Sequence, residues 1–217
     1  MKFFKDRVDA GMQLASALVG LVGKEAVILA IPRGGVVIGF EVARELNLPL
    51  DVIVPRKIGA PENPELAIGA VTEDGTMILD NNLVSYLQVS KTYIRRESKT
   101  QRLEIERRLK LYRGNAPRPN LKNLDVVIVD DGIATGSTMK AALASVRKRG
   151  ANRVLIAIPV GPPSTIRELE KQADRVICLH TPESFHAIGQ FYEDFAQTED
   201  VEVTELLKIS KQEELRR

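Results

Sequence analysis

Short runs of aliphatic and β-branched residues, each followed by a helical pattern, constrain this fold more than any other feature of the chain. Strand-length apolar runs fall at 26–31, 51–54, 126–129, 154–158 and 175–179, and helical periodicity at 6–22, 33–46, 137–149 and about 164–172. Strands without polar alternation are buried on both faces, so the pattern predicts an α/β fold: an open, mainly parallel sheet flanked by helices. In such sheets ligands bind beyond the carboxyl ends of the strands. With 217 residues, 44% of them hydrophobic, the chain is sized for one domain, placed at 1–210, with a charged tail at 211–217.

Three motifs follow predicted strand ends. In Val127-Ile-Val-Asp-Asp-Gly-Ile-Ala-Thr-Gly-Ser-Thr-Met139, an apolar run delivers Asp130 and Asp131 to the sheet edge. There they can accept hydrogen bonds from vicinal hydroxyls or hold a hydrated divalent cation. The turn Gly132 to Thr138, with hydroxyls at Thr135, Ser137 and Thr138, suits an anion at a helix N-terminus. Together these describe a sugar-phosphate site; the plainer alternative is a strand-turn-helix whose acids cap the helix. No Lys follows Gly136, which rules out the Walker loop, and Gly34-Gly35-Val-Val-Ile-Gly39 lacks the dinucleotide spacing. The second motif, Ile31-Pro-Arg-Gly-Gly35, pairs a guanidinium with glycines that can expose N–H groups to an anion or merely permit a tight turn. The third, from Val54 to Ala67, is rich in Pro, Gly and Asn and reads as a loop with Arg56 and Lys57 at its root.

The 127–139 segment resembles the phosphoribosyl pyrophosphate (PRPP) signature of type I phosphoribosyltransferases, and the likeness extends over residues 5–205. The resemblance implies that fold with a small C-terminal hood near 180–205, and a helical insertion at 81–113. It further implies that Ala134, Thr135, Gly136, Ser137 and Thr138 take the 5′-phosphate and that Arg33, Gly34, Gly35, Arg56 and Lys57 take the pyrophosphate. Asp130 and Asp131 would hold the ribose hydroxyls and Mg²⁺, in part through water. Asp130, Asp131, Arg56 and Lys57 are the residues expected to carry catalysis. A cis peptide is expected at Arg33–Gly34. The loop after Lys57 is expected to close as a lid, although no further Lys or Arg follows before Arg95; Glu62 and Glu65 stand there instead.

After the last predicted strand, Phe185, Phe191, Tyr192 and Phe195 cluster in a chain that is only 5% aromatic. In the family such a hood stacks the acceptor base. Phe185 or Tyr192 would be the platform, with His186 or Glu183 supplying a hydrogen bond; the alternative is a packing cluster, the reading favoured for Phe191 and Phe195 at helical spacing. His180 is expected to pack, since no third His or partner Cys supports a metal site.

Residues 81–113 are basic, with Lys91, Arg95, Arg96, Lys99, Arg102, Arg107, Arg108, Lys110 and Arg113 against three glutamates. A nucleic-acid face is one reading. Without interleaved aromatics, a solvated helix packing through Leu103, Leu109 and Tyr112 on the domain or on a second copy is preferred. Net charge is only +2. The single Cys178 precludes an intrachain disulfide, no apolar run approaches a membrane span, and the first residues lack a signal core, so a cytoplasmic protein without a membrane partner is expected.

The expected activity is Mg²⁺-dependent transfer of the 5-phosphoribosyl group from PRPP to a small nitrogenous acceptor, a nucleobase in a salvage role, with release of pyrophosphate. The expected partners are PRPP and that acceptor, with a homodimer as a plausible assembly. The alternative is a non-catalytic PRPP or nucleotide sensor on the same fold. Arg56 and Lys57, which a pyrophosphate-releasing enzyme needs, favour the enzyme.

Overall fold

The computed structural model describes residues 2–216. Its elements run α1 (Arg7–Leu18), β1 (Ala26–Ala30), α2 (Gly34–Leu46), β2 (Leu50–Val52), β3 (Arg56–Gly59), β4 (Ala67–Val71), β5 (Met77–Leu79), α3 (Asn81–Tyr86), α4 (Lys91–Arg113), β6 (Asp125–Val129), α5 (Ser137–Lys148), β7 (Val154–Val160), α6 (Pro163–Glu170), β8 (Arg175–His180), a 3₁₀ turn at Ile188–Phe191, and α7 (Asp200–Leu215). The main sheet has five strands in the order β2-β1-β6-β7-β8. Every pairing in it is parallel.

Alternation along each central strand divides the core into two layers. Val127 and Val129 of β6 join Leu14 and Leu18 of α1 and Ile38 and Val42 of α2. Val126 and Ile128 point the other way, to Met139, Leu143 and Val146 of α5 and Leu169 of α6. Both faces are therefore apolar, and the strands read as unbroken hydrophobic runs. In-register pairing of Ala30 with Val129 aligns the carboxyl ends of β1 and β6, and β7, paired at Ala157, runs on in the same direction to Val160. Whatever follows those residues is gathered at one edge.

The segment read as a loop at 54–67 is partly strand. Arg56 pairs with Val71 and Lys57 with Ala70, and β5 completes a three-stranded antiparallel sheet. Pro61, Asn63 and Pro64 between β3 and β4 hid the hairpin, because its partner strand lies beyond the turn and contributes pairing that local composition does not register. Ile58, Ile68 and Val71 of this sheet pack with Ile94, Ile105 and Tyr112 of α4 and Val203 of α7.

The insertion is helical, as expected. The Asp80 side chain caps α3 and that of Ser90 caps α4, while Gly114, at φ 58°, ends α4. Tyr112 is buried and donates to Asp200 Oδ1 at 2.5 Å, tying α4 to α7. Leu109 is half-buried against the same cluster, whereas Leu103 is 59% exposed and packs on nothing comparable. The charged C-terminal segment belongs to α7, which runs through Leu215 rather than stopping at 210; Arg217 lies outside the described residues. Among the described residues no helix is long and apolar enough to cross a membrane.

Candidate active site

The site begins where β6 stops. Asp130 and Asp131 are the first residues beyond Val129, and the Asp130 carboxylate turns back to accept from the Asp131 N–H at 2.9 Å. Burial, then the Asp131 charge, push the Asp130 carboxyl well above the usual carboxylate range. Burial pushes Asp131 up as well, against the opposing pull of Arg7. Arg7 Nε donates to Asp131 Oδ2 at 2.8 Å across 124 residues of sequence. The Tyr192 hydroxyl donates to the Asp131 carbonyl at 2.6 Å, and burial followed by Asp131 raises the phenol so that it remains a donor.

The start of α2 lies directly against these acids. A Cβ on Gly34 would fall 1.9 Å from Asp131 Oδ2 and 2.6 Å from Arg7 Nε; one on Gly35 would fall 2.9 Å from Asp130 Cα. Both glycines are therefore required by close approach, whatever else they bind. The cis peptide in this stretch is Pro32–Arg33, not Arg33–Gly34. Arg33–Gly34 leads into the first turn of α2, where the Arg33 carbonyl accepts from Val36 N–H at 3.0 Å, and a helical turn requires trans units.

Residues 134–138 cross from the turn into α5. Gly136 is the N-cap at φ 74°, a left-handed conformation that favours glycine. Ala134 and Thr135 are exposed, Ser137 and Thr138 half-buried, and Thr165 Oγ1 fastens the turn by donating to the Ala134 carbonyl at 2.7 Å. The start of α5 thus brings unpaired backbone N–H groups together with three hydroxyls, donors of the kind that an anion accepts from.

Two cavities of about 460 Å³ adjoin at this edge and share Pro32, Pro55 and Thr138. The first is lined by Arg7, Arg33, Asp130, Asp131, Phe195 and Thr198 among others. The second is lined by Arg56, Lys57, Glu65, Tyr93, Gln101 and Arg108 among others. Arg56 donates to the neutral Gln101 at 2.5 Å, while burial and the nearby Arg108 lower the guanidinium's pKa. Lys57 is exposed, and Arg33 stands 4.0 Å from Asp200 at the start of α7.

The proposed base platform is arranged differently from expectation. Phe185 packs on Phe191 and the sheet core, and His186 is exposed on the hood loop; neither lines the two cavities. Tyr192 is buried beneath the site and reaches it only through its hydroxyl. Phe195, read as a packing residue in a helix, lies outside the 3₁₀ turn and faces the first cavity. His180 stacks on Phe3 with ring centroids 4.0 Å apart, a packing role as expected. Arg7, Gln197, Thr198 and Arg108 are site residues that the sequence reading missed, and a lone arginine in an amphipathic helix carries no signal by which to find it.

Among the described residues no three or more His, Cys, Asp or Glu side chains converge as a metal site. Two adjacent carboxylates suit a divalent ion such as Mg²⁺, which keeps waters and takes further ligands from substrate oxygens.

A five-stranded parallel sheet with paired acids and an anion-binding turn at its carboxyl edge defines a nucleotide- or sugar-phosphate-handling α/β protein. The family model for the phosphoribosyl transferase domain matches residues 4–196, and the chain belongs to that family. It is 46% identical over 207 residues to Mycobacterium tuberculosis proteins of two strains that are provisionally named phosphoribosyl transferase, covering 95% of this chain and 47% of theirs. The chain thus spans about half the length of these curated relatives. A solved structure of the Thermus thermophilus protein TT1426 is similar at 43% identity and TM-score 0.81, covering 95% of this chain and 98% of that one. A purine phosphoribosyltransferase of Pyrococcus horikoshii, at 22% identity and TM-score 0.50 over 91% of this chain and 98% of its own, shares the fold.

Proposed function

We propose that this protein transfers the 5-phosphoribosyl group from PRPP to a nitrogenous acceptor and releases pyrophosphate. The observation that supports this most is the meeting of Asp130 and Asp131, Arg33 and Gly34 at the start of α2, and Thr138 on one cavity that adjoins a second holding Arg56 and Lys57. In this reading the 5′-phosphate lies on residues 134–138, where α5 N–H groups and hydroxyls donate to it. Asp130 and Asp131 accept from the ribose hydroxyls, directly or through metal-bound water. Arg33, the amides of Gly34 and Gly35, Arg56 and Lys57 hold the pyrophosphate.

The residues act by charge placement. Negative charge develops on the leaving pyrophosphate as its bond to C1′ breaks, and the guanidinium and ammonium groups fixed beside it favour that state over the ground state. Positive charge develops on the ribose ring, next to two carboxylates. The acceptor nitrogen attacks C1′ from the opposite face. Bound Mg²⁺ would supply further charge neutralisation at the phosphate oxygens. The β3–β4 hairpin would exclude water, which otherwise competes for the ribosyl cation.

The test is pyrophosphate release from PRPP and Mg²⁺ across purine, pyrimidine, carboxylated and simple amine acceptors. Acceptor-dependent release is expected, and its loss in the Asp130→Asn, Asp131→Asn double variant. Normal turnover in that variant sinks the assignment. PRPP binding without release from any acceptor favours the sensor reading, and no PRPP binding refutes both.

A further inference from the structure

The acceptor wall of the first cavity is built around a cation rather than an open aromatic ring. Arg7 is held at three points: Nε donates to Asp131 Oδ2 at 2.8 Å, Nη1 donates to the Ala196 carbonyl at 2.7 Å, and the guanidinium lies 3.8 Å above the Phe195 centroid. Its side chain is only 11% exposed, and it lines the first cavity as well as a smaller one beside Asp194 and Glu202. Phe195 is the aromatic residue on that wall. Arg7 covers one face of its ring. Tyr192 packs against the ring at 4.9 Å, and the Gly189 backbone is so close that a Cβ there would come within 2.8 Å of Phe195 Cδ1. A flat acceptor entering this cavity therefore meets the Arg7 guanidinium in place of a free benzene face.

We propose that Arg7 selects the acceptor, and that the acceptor is a planar compound bearing a carboxylate. The inference rests on the phosphoribosyl-transfer reading given above and names the substrate class for it. A guanidinium has five N–H donors, of which the two bonds described use two. The remaining donors, held rigid by stacking and by the Ala196 carbonyl, match an oxyanion in a planar fork. Gln197 and Thr198, which line the same wall, are uncharged and bring no competing carboxylate. Asp130 and Asp131 line the same cavity and Asp131 stays paired with Arg7, so the oxyanion would engage the donors left beside that pair. A neutral base would leave the donors not used by Asp131 and Ala196 without an anionic partner, and that difference is what would favour an oxyanion.

Matched acceptors provide the test: orotate against uracil, nicotinate against nicotinamide, and anthranilate against aniline, in the full chain with PRPP and Mg²⁺. PRPP binding is measured first by calorimetry, because its absence refutes the phosphoribosyl-transfer reading and this proposal with it. With PRPP bound, at least one carboxylated member is expected to exceed its neutral counterpart by roughly 10-fold or more in kcat/KM for pyrophosphate release. Arg7→Gln is expected to erase that ratio and Arg7→Lys to retain part of it. A merely structural loss would lower both members of a pair together and leave the ratio intact. Equal or inverted preference, release from neutral acceptors alone, no release from any carboxylated acceptor, or an Arg7→Gln variant that keeps the wild-type ratio each overturns the acceptor class while leaving the PRPP site standing.

Discussion

Replacing Gly34 by Ala tests the closeness of α2 to the paired acids. The new methyl would be built 1.9 Å from Asp131 Oδ2, 2.8 Å from its Cγ and 2.6 Å from Arg7 Nε. Nonbonded carbon and oxygen atoms settle at roughly 3.5 Å, so the carboxylate must retreat by about 1.5 Å. A displacement of that size exceeds the roughly 0.5 Å within which a site must be held. Loss of a charge-assisted hydrogen bond to the ribose is worth about 1.5–3 kcal/mol, or roughly 10- to 150-fold in PRPP affinity. Stability changes less: overpacking costs about 1–3 kcal/mol, and relief of the glycine's unfolded-state entropy offsets at most about 1 kcal/mol. A net loss of about 1–2 kcal/mol lowers Tm by roughly 2–8 °C for a domain of this size. Calorimetric titration with PRPP and a thermal melt give both quantities. Gly23→Ala, where a Cβ meets nothing within 4 Å, is the control and is expected to leave both unchanged. PRPP affinity within about 2-fold of wild type in Gly34→Ala would refute the reasoning.

Three further expectations concern stability and reactivity. Glu73, with a side chain 1% exposed, sits among Arg113, Arg118 and Arg149, and Glu73→Ala leaves the 7%-exposed Arg113 and 14%-exposed Arg149 without it. A loss of about 3–5 kcal/mol in urea unfolding is expected, and a loss below about 1 kcal/mol would show that the arginines find other partners. Burial lowers the His180 pKa, so the folded state favours the neutral ring; this contribution is complete above the unfolded value of about 6.5 and fades as pH falls through the folded pKa. Unfolding at pH 7 and at pH 5 should therefore differ more in wild type than in His180→Phe, and equal differences would argue against it. Burial pushes the Cys178 thiol up to about 12; labelling by a thiol reagent at pH 8 should follow global unfolding, and rapid labelling of the folded protein would contradict that burial.

Much of the catalytic edge could be read from local sequence because its parts are contiguous. Residues 127–139 carry a strand, two acids, a turn and a helix start in one stretch, and parallel pairing with β1 and β7 places that stretch at the ligand edge. Local pattern also made the helical insertion at 81–113 visible, which the structure resolves into α3 and α4. The β3–β5 sheet escaped, since hairpin pairing of Arg56 with Val71 spans a Pro-rich turn that locally opposes strand structure. The placement of the hood aromatics was hidden for a related reason. Phe185, Tyr192 and Phe195 are chemically similar and close in sequence, and only the path of the chain from Phe191 onward sends Tyr192 under Asp131 and Phe195 to the cavity.

The α/β class and the succession of main-sheet strands and helices along the chain were legible before folding, because apolar periodicity and short-range backbone chemistry are local properties. The folded arrangement was needed to show that Arg7 meets Asp131 across 124 residues, that it covers Phe195, and that Gly34 must lack a side chain to let them meet. Those facts depend on distances between segments remote along the chain, which are set by packing two helical layers on one sheet and leave no trace in the periodicity of either segment.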